Sequence, residues 1–156
     1  LETFSNNVWE CACGGGHLSE VLLNAGYNVR STDLIDRNYA GELVDFLAID
    51  NMQMWDGDVI TNPPYKYAEQ FVEKALSIIP RGKKVAMFMG IQFVEGKKRR
   101  EFLKRFPIKT VYVSSSRLNC AKNGDFEKYN SNSARCYAWY IWEKGFNGTT
   151  ELKWFN

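Results

Sequence analysis

The apolar positions of this chain fall alternately into short continuous runs and into runs spaced three and four apart. Val8 to Ala12, apolar but for Glu10, predicts a strand. Gly14-Gly15-Gly16 breaks it, and Leu18, Val21 and Leu22 then share one face of a helix predicted from His17 to Ala25. Tyr27 to Thr32 predicts a second strand ending at Asp33, followed by a short irregular or helical piece from Asp36 to Gly41. Leu43 to Ile49 contains a third strand, and Gly57 to Thr61 is the fourth. Ala68, Phe71, Val72, Ala75, Leu76 and Ile79 mark the next helix. Lys83 to Met89 is a fifth strand, apolar enough to be buried on both faces. A charged helix from Glu95 to Phe106 precedes two last strands, Ile108 to Ser114 and Ala134 to Trp142. Strands alternating with helices, then a final strand pair, predict an α/β fold: a mostly parallel seven-stranded sheet closing in an antiparallel edge pair. Ser114 to Ser133 has no period and is rich in Asn, so it reads as a long loop of the functional or mobile kind.

Composition narrows this picture only a little. At 156 residues, with no linker or internal repeat, the expectation is one domain spanning 1–156. A net charge of +2 is too small to argue for nucleic acid by itself. Cys11, Cys13, Cys120 and Cys136 form no Cys-x-x-Cys pair and no Cys/His set, so no metal site is expected. Reduced thiols make the cytoplasm the natural compartment. No signal peptide or membrane-length apolar run is present, so no membrane partner is expected.

The chemistry concentrates at Thr61-Asn62-Pro63-Pro64-Tyr65, where the fourth strand turns into a helix. Ligands of open α/β sheets bind at such carboxyl ends. The prolines fix φ and keep Asn62 and Pro63 out of helical geometry. They also remove two N–H donors, which leaves the Asn62 side-chain oxygen and nearby carbonyls as acceptors beside the flat face of Tyr65. Acceptors plus a stacking ring suit a planar amine.

The run Glu10-Cys11-Ala12-Cys13-Gly14-Gly15-Gly16 is a glycine turn after the first strand. Glycines admit positive φ and let backbone approach a ligand, and the following helix points its N-terminus there. On these residues alone a methyltransferase and a dinucleotide-binding turn stand equal, although Ser19 occupies the third glycine of the dinucleotide fingerprint. Asp33 can accept bonds from both ribose hydroxyls of either cofactor, or simply cap a turn. Leu34 and Ile35 can pack on an adenine face or in the core.

Together these strings resemble the motifs of S-adenosylmethionine-dependent amino-methyltransferases, above all the DNA adenine-N6 methyltransferases of small phage and prophage type. The resemblance spans about Val8 to Lys144 and includes the tail Tyr137-Ala138-Trp139-Tyr140-Ile141-Trp142-Glu143-Lys144. It implies a Rossmann-like methyltransferase fold with helices on both faces, and S-adenosylmethionine as cofactor. Glu10, Cys11, Ala12, Gly14 and Gly16 would border the methionine moiety, Asp33 and Leu34 the ribose and adenine. Asp45 with Phe46 would recognise the adenine amino group, Asp50 competing for that role. Asn62, Pro63, Pro64 and Tyr65 would form the catalytic pocket. The implied reaction is direct methyl transfer to a flipped adenine in DNA, as in restriction-modification, in a bacterial or phage-infected cell. The alternatives are RNA adenine, a protein glutamine, or a non-catalytic cofactor-binding subunit. The family's upstream cofactor-contacting helix and a separate target-recognition domain are both missing from the sequence, so a partner subunit for target recognition is a further expectation.

Lys97, Lys98, Arg99, Arg100, Lys104 and Arg105 cluster on one predicted helix, either as a solvated face or as a phosphate-contacting stripe. Arg117, Asn119, Lys122 and Asn123 of the long loop are candidates to reach the target. His17, the only histidine, reads as an exposed or capping residue. Trp139 and Trp142 read as packing residues.

Overall fold

The computed structural model describes residues 1–116, 118 and 136–156. Among the described residues eight strands form one sheet in the order β3-β2-β1-β4-β5-β7-β6-β8. They are β1 (Asn7–Glu10), β2 (Asn28–Asp33), β3 (Glu42–Leu43), β4 (Asp58–Thr61), β5 (Lys84–Gly90), β6 (Thr110–Ser114), β7 (Tyr137–Glu143) and β8 (Glu151–Phe155). β1 pairs in parallel with β2 and β4, and β4 with β5. β7 runs against its neighbours, being antiparallel to both β5 and β6.

Among the described residues three α-helices accompany the sheet: α1 (His17–Asn24), α2 (Ala68–Ile78) and α3 (Lys97–Arg105). On one face Leu22 of α1 packs with Val8, Ile60, Ala86, Tyr112 and Ile141. On the other, Phe71, Val72, Ala75 and Ile78 of α2 and Phe102 of α3 cover Trp9, Val59, Val85, Met87 and Tyr140. The alternation along β5 explains the split, since Val85 and Met87 face α2 while Ala86 faces α1. Trp9 anchors the α2 face: it is 1% exposed, and its indole donates to Thr32 Oγ1 at 2.9 Å. Residues 1–5 lie along the α1 face as a strap. Glu2 pairs with Lys84 Nζ at 2.6 Å and accepts from the Tyr112 hydroxyl at 3.0 Å.

The structure corrects the sequence reading in two places. The third strand is not Leu43 to Ile49. Only Glu42–Leu43 pair with β2, and Phe46–Ala48 form a single 3₁₀ turn capped by Asp45. Asp45 accepts from Leu47 N there, and that local bond ends the strand. The sheet has eight strands rather than seven. Glu151–Phe155 was missed because it lies at the sheet edge and four of its five residues are exposed, so it carries no buried period. Of the two alternatives for 36–41, the irregular one is found: Asp36 accepts from Asn38 N, and Asn38 adopts φ 61°, which breaks helical geometry. Among the described residues no helix is long and apolar enough to cross a membrane.

Candidate cofactor and acceptor site

Strand order reverses between β1 and β4, which places a topological switch point at their carboxyl ends. The glycine turn leaves β1 there, and Asn62-Pro63-Pro64-Tyr65 leaves β4. Cys11, just past β1, and Thr61, at the end of β4, are both buried beneath this edge. Cys11 is buried and its thiol is pushed up by desolvation. It faces the α2 core, as a small apolar residue would, and the partly buried Ala12 also packs against that core.

The glycine turn is built by Asp33. One carboxylate oxygen accepts Gly14 N at 2.8 Å and the other accepts Ile35 N at 2.9 Å, while Cys13 N donates to Thr32 O at 3.0 Å. Asp33 therefore ties the end of β2 to the turn after β1. Gly14 has φ 55°, and the space where a Cβ would stand is open. Gly16, with φ 83°, is the N-cap of α1, and a Cβ there would lie 2.3 Å from the Tyr39 ring. Glycine is thus required twice at this position, by conformation and by contact. The Tyr39 hydroxyl is held by Glu20 at 2.6 Å.

Beneath the turn lies Glu10, 2% exposed. Ser19 donates to its carboxylate, and Ser19 Oγ lies 2.7 Å from Ser31 Oγ. Desolvation is the largest influence on Glu10 and raises its pKa to about 7, against the lowering effect of the Ser19 bond. Ser19 stands where a dinucleotide turn has its third glycine, and here its hydroxyl serves the buried acid. The signal was legible as a serine at a buried α1 position opposite a strand acid, but the sequence reading did not use it.

Leu34 and Ile35 project from the end of β2, 65% and 54% exposed, and so can border a ligand. Asp45 spends one oxygen on its own turn. Phe46 lies in the core, edge-on to Trp9 at 5.4 Å and 5.2 Å from Phe71, which leaves its ring no free face at the edge. Asp50 likewise caps its own turn, accepting from Met52 N at 2.8 Å.

Asn62 is exposed, and its amide makes no hydrogen bond to any described residue. Thr61 below it and Pro63 beside it are buried. Pro64 sits at φ −58°, ψ 115° and its carbonyl takes Tyr67 N at 2.8 Å, starting the 3₁₀ turn Tyr65–Tyr67 that leads into α2. Tyr65 and Tyr67 are 43% and 42% exposed. The candidate site thus consists of an exposed amide, an exposed ring, a glycine turn and a buried acid along one open edge. Two cavities, of about 440 Å³ beside Arg30 and Trp55 and about 350 Å³ between Glu73 and Phe146, lie elsewhere and are not lined by these residues.

Of the basic cluster, Lys97, Lys98 and Arg100 are exposed at the start of α3, whereas Arg99 turns inward to Glu69 and Phe93. Arg117, Asn119, Lys122 and Asn123 lie outside the described residues. Trp142 is buried in the α2-face core, and Trp139 is partly buried on the other face.

No family model and no curated protein matches the sequence. Among solved structures the fold is that of class I methyltransferases. The chain is similar over 96% of its length to a protein of Listeria monocytogenes named as a class I S-adenosylmethionine-dependent methyltransferase, with TM-score 0.62 and 16% identity, and it spans 58% of that protein. It is similar over 88% of its length to the 1,6-didemethyltoxoflavin-N1-methyltransferase of Burkholderia thailandensis, solved with S-adenosylhomocysteine, with TM-score 0.59, 11% identity and 70% of that chain covered. A third likeness, over 92% of its length, is to a protein of Vibrio vulnificus named as the modification subunit of a type I restriction enzyme, with TM-score 0.63, 12% identity and 41% of that chain covered.

Proposed function

We propose that this chain binds S-adenosylmethionine and transfers its methyl group to the exocyclic N6 amine of adenine in DNA. The observation that carries the reading is the Asn62 amide, exposed and without a hydrogen bond to any described residue, on a backbone held by two prolines beside a glycine turn at the switch point of the sheet. The residues present fit the cofactor. Gly14 leaves open space above the turn, Asp33 keeps lone pairs beyond its two backbone bonds, and Leu34 and Ile35 offer an apolar face. S-adenosylmethionine supplies an electrophilic methyl group.

The chain's own part is electrostatic and positional. Adenine N6 is a poor nucleophile because its lone pair is delocalised into the ring. The Asn62 oxygen and the Pro63 carbonyl accept its two N–H bonds, favour tetrahedral nitrogen and stabilise the charge that develops there. Tyr65 stacks on the base, which leaves the duplex to reach this edge. Holding amine and methyl donor in line supplies the proximity term. Lys97, Lys98 and Arg100 at the same end of the sheet meet phosphates. They sit in the first turn of α3, which contains no acid, and so oppose the helix dipole. A helix placed only for solubility would carry acids there. The modification-subunit likeness supports DNA and a target-recognition partner. RNA adenine, a protein glutamine and a non-catalytic cofactor-binding subunit are the other readings.

The test is calorimetry with S-adenosylhomocysteine and with a nicotinamide dinucleotide, then labelled S-adenosylmethionine with separate DNA, RNA and protein acceptors. Homocysteine-ligand binding and label in adenine of DNA are expected. Preference for the nicotinamide overturns the reading, and label in RNA or protein moves the acceptor.

A pH dependence follows from Glu10. In the free protein its carboxyl is held up to about 7, whereas the cofactor's ammonium favours the carboxylate. Below that pKa binding must first remove a proton, so affinity should fall up to about tenfold per pH unit as pH drops, and level off above it. Titrations of S-adenosylhomocysteine between about pH 5.5 and 8.5 check this, with Glu10→Gln expected to bind more weakly and with a flat profile. A flat profile in the parent would remove Glu10 from the cofactor site.

A further inference from the structure

The start of α2 and the turn after β5 are joined by one side chain. Arg99, in the first turn of α3, lays its guanidinium 3.9 Å above the Phe93 ring and brings Nε to 2.8 Å from Glu69 Oε1. Glu69 is the second residue of α2, four positions after Tyr65. Phe93 belongs to the 3₁₀ turn that leaves β5, and its ring packs 5.2 Å from that of Tyr140. The Tyr140 hydroxyl donates to the carbonyls of Gly90 at 3.2 Å and Ile91 at 3.1 Å, where β5 ends. The set therefore runs unbroken from the helix that follows the acceptor motif to the end of the neighbouring strand.

Stability does not account for this arrangement. Arg99 Nε approaches Glu69 off the N–H axis, so charge and not an aligned hydrogen bond holds the pair, and Nη1 is buried with no hydrogen-bond partner among the described residues. A part-buried ion pair with an orphan donor adds little to folding. It does fix geometry, because a planar guanidinium stacked on a ring allows its partner few positions.

We infer that Arg99 is a positioning residue, which through Glu69 holds the Asn62 to Tyr65 segment in register for methyl transfer, while the neighbouring Lys97, Lys98 and Arg100 meet the phosphate backbone of the acceptor. This rests on the methyltransferase reading. The one basic cluster of the sequence thereby divides into a brace and a docking surface.

The two roles separate experimentally. Arg99→Ala, Arg99→Lys, Glu69→Gln and the triple Lys97/Lys98/Arg100→Ala variant are compared with the parent. The readouts are S-adenosylhomocysteine titration, single-turnover methylation of adenine-containing DNA, salt dependence of DNA affinity, and hydrogen exchange at the Tyr67 amide. Arg99→Ala should lose about tenfold or more in single-turnover rate, because small misplacements of reacting groups are costly. It should keep cofactor affinity and salt slope, and should exchange faster at Tyr67, whose N–H is bonded to Pro64 O. Glu69→Gln should reproduce the rate and exchange effects, and it carries the test should Arg99→Ala fail to fold. Arg99→Lys should recover part of the rate. The triple variant should weaken DNA binding and reduce the magnitude of the salt slope by up to about three, near one per lost phosphate contact. Parental rate and parental exchange in Glu69→Gln would overturn the brace, as would an Arg99→Ala variant that loses salt slope like the triple one. If the parent methylates no acceptor, the functional reading has failed, and Tyr67 exchange still decides whether Arg99 holds the segment.

Discussion

Asn62→Ala is expected to fold, to bind S-adenosylhomocysteine as the parent does, and to transfer methyl groups about a hundredfold more slowly, or slower still. The amide oxygen is assigned to the moment when adenine N6 becomes positive. Loss of one preorganised group of this kind costs on the order of 3 kcal/mol in the barrier, and each 1.36 kcal/mol is about tenfold in rate. The fold should tolerate the change because Asn62 is exposed and bonds to no described residue, so truncation orphans nothing. Pro63 and Pro64 still restrict the turn, and the Tyr67 N bond to Pro64 O is untouched. Cofactor binding should survive because Glu10, Asp33 and Gly14 are unchanged.

Single-turnover methylation, cofactor titration and thermal melting together decide the matter. A folded Asn62→Ala protein that methylates adenine at the parental rate would remove the assignment of Asn62. A variant that melts far below the parent would make Asn62 a structural residue despite its exposure.

Asn62 and its prolines were legible in the sequence because each acts through the backbone it sits on. Proline fixes its own φ wherever it occurs, and a strand followed by a helical period places the motif at a carboxyl end. The glycine turn was legible for the same reason. Residues whose role depends on a distant partner were not. Arg99 looked like its neighbours in a basic run, and only the packing of α3 against α2 turns it toward Glu69. Ser19 looked like a lapse in a glycine fingerprint, and only the burial of Glu10 gives it a task. Phe46 was expected at the cofactor, yet its ring completes a cluster with Trp9 and Phe71. Local propensity misjudged β3 because an Asp that caps its own turn outweighs the β-branched residues around it. The edge strand β8 was overlooked although Leu152 and Trp154 alternate with Glu151 and Lys153; both apolar side chains are exposed, so the alternation marks a sheet edge and not a buried face.

Asp33 should be the most costly single residue to remove from the cofactor half of the site. It is 8% exposed, and its two oxygens hold Gly14 N at 2.8 Å and Ile35 N at 2.9 Å. Asp33→Ala leaves both donors without their acceptor, at about 1–3 kcal/mol for each that stays buried. The protein should therefore melt several degrees lower, at roughly 2–4 °C per kcal/mol for a chain of this size. The glycine turn loses its tie to β2, and the cofactor loses the charged acceptor assigned to its ribose. Hydrogen bonds to a charged group contribute about 1.5–3 kcal/mol each, so affinity for S-adenosylhomocysteine should fall about a hundredfold or more. Asp33→Asn separates the two effects. Its one remaining carbonyl oxygen can still take Gly14 N or Ile35 N, so stability should recover in part, while the lost charge keeps binding weak. Melting curves and calorimetry of the two variants against the parent are the measurements. An Asp33→Ala protein with parental affinity would take the ribose away from Asp33. An Asp33→Asn protein that binds like the parent would mean that Asp33 serves the turn and not the ligand.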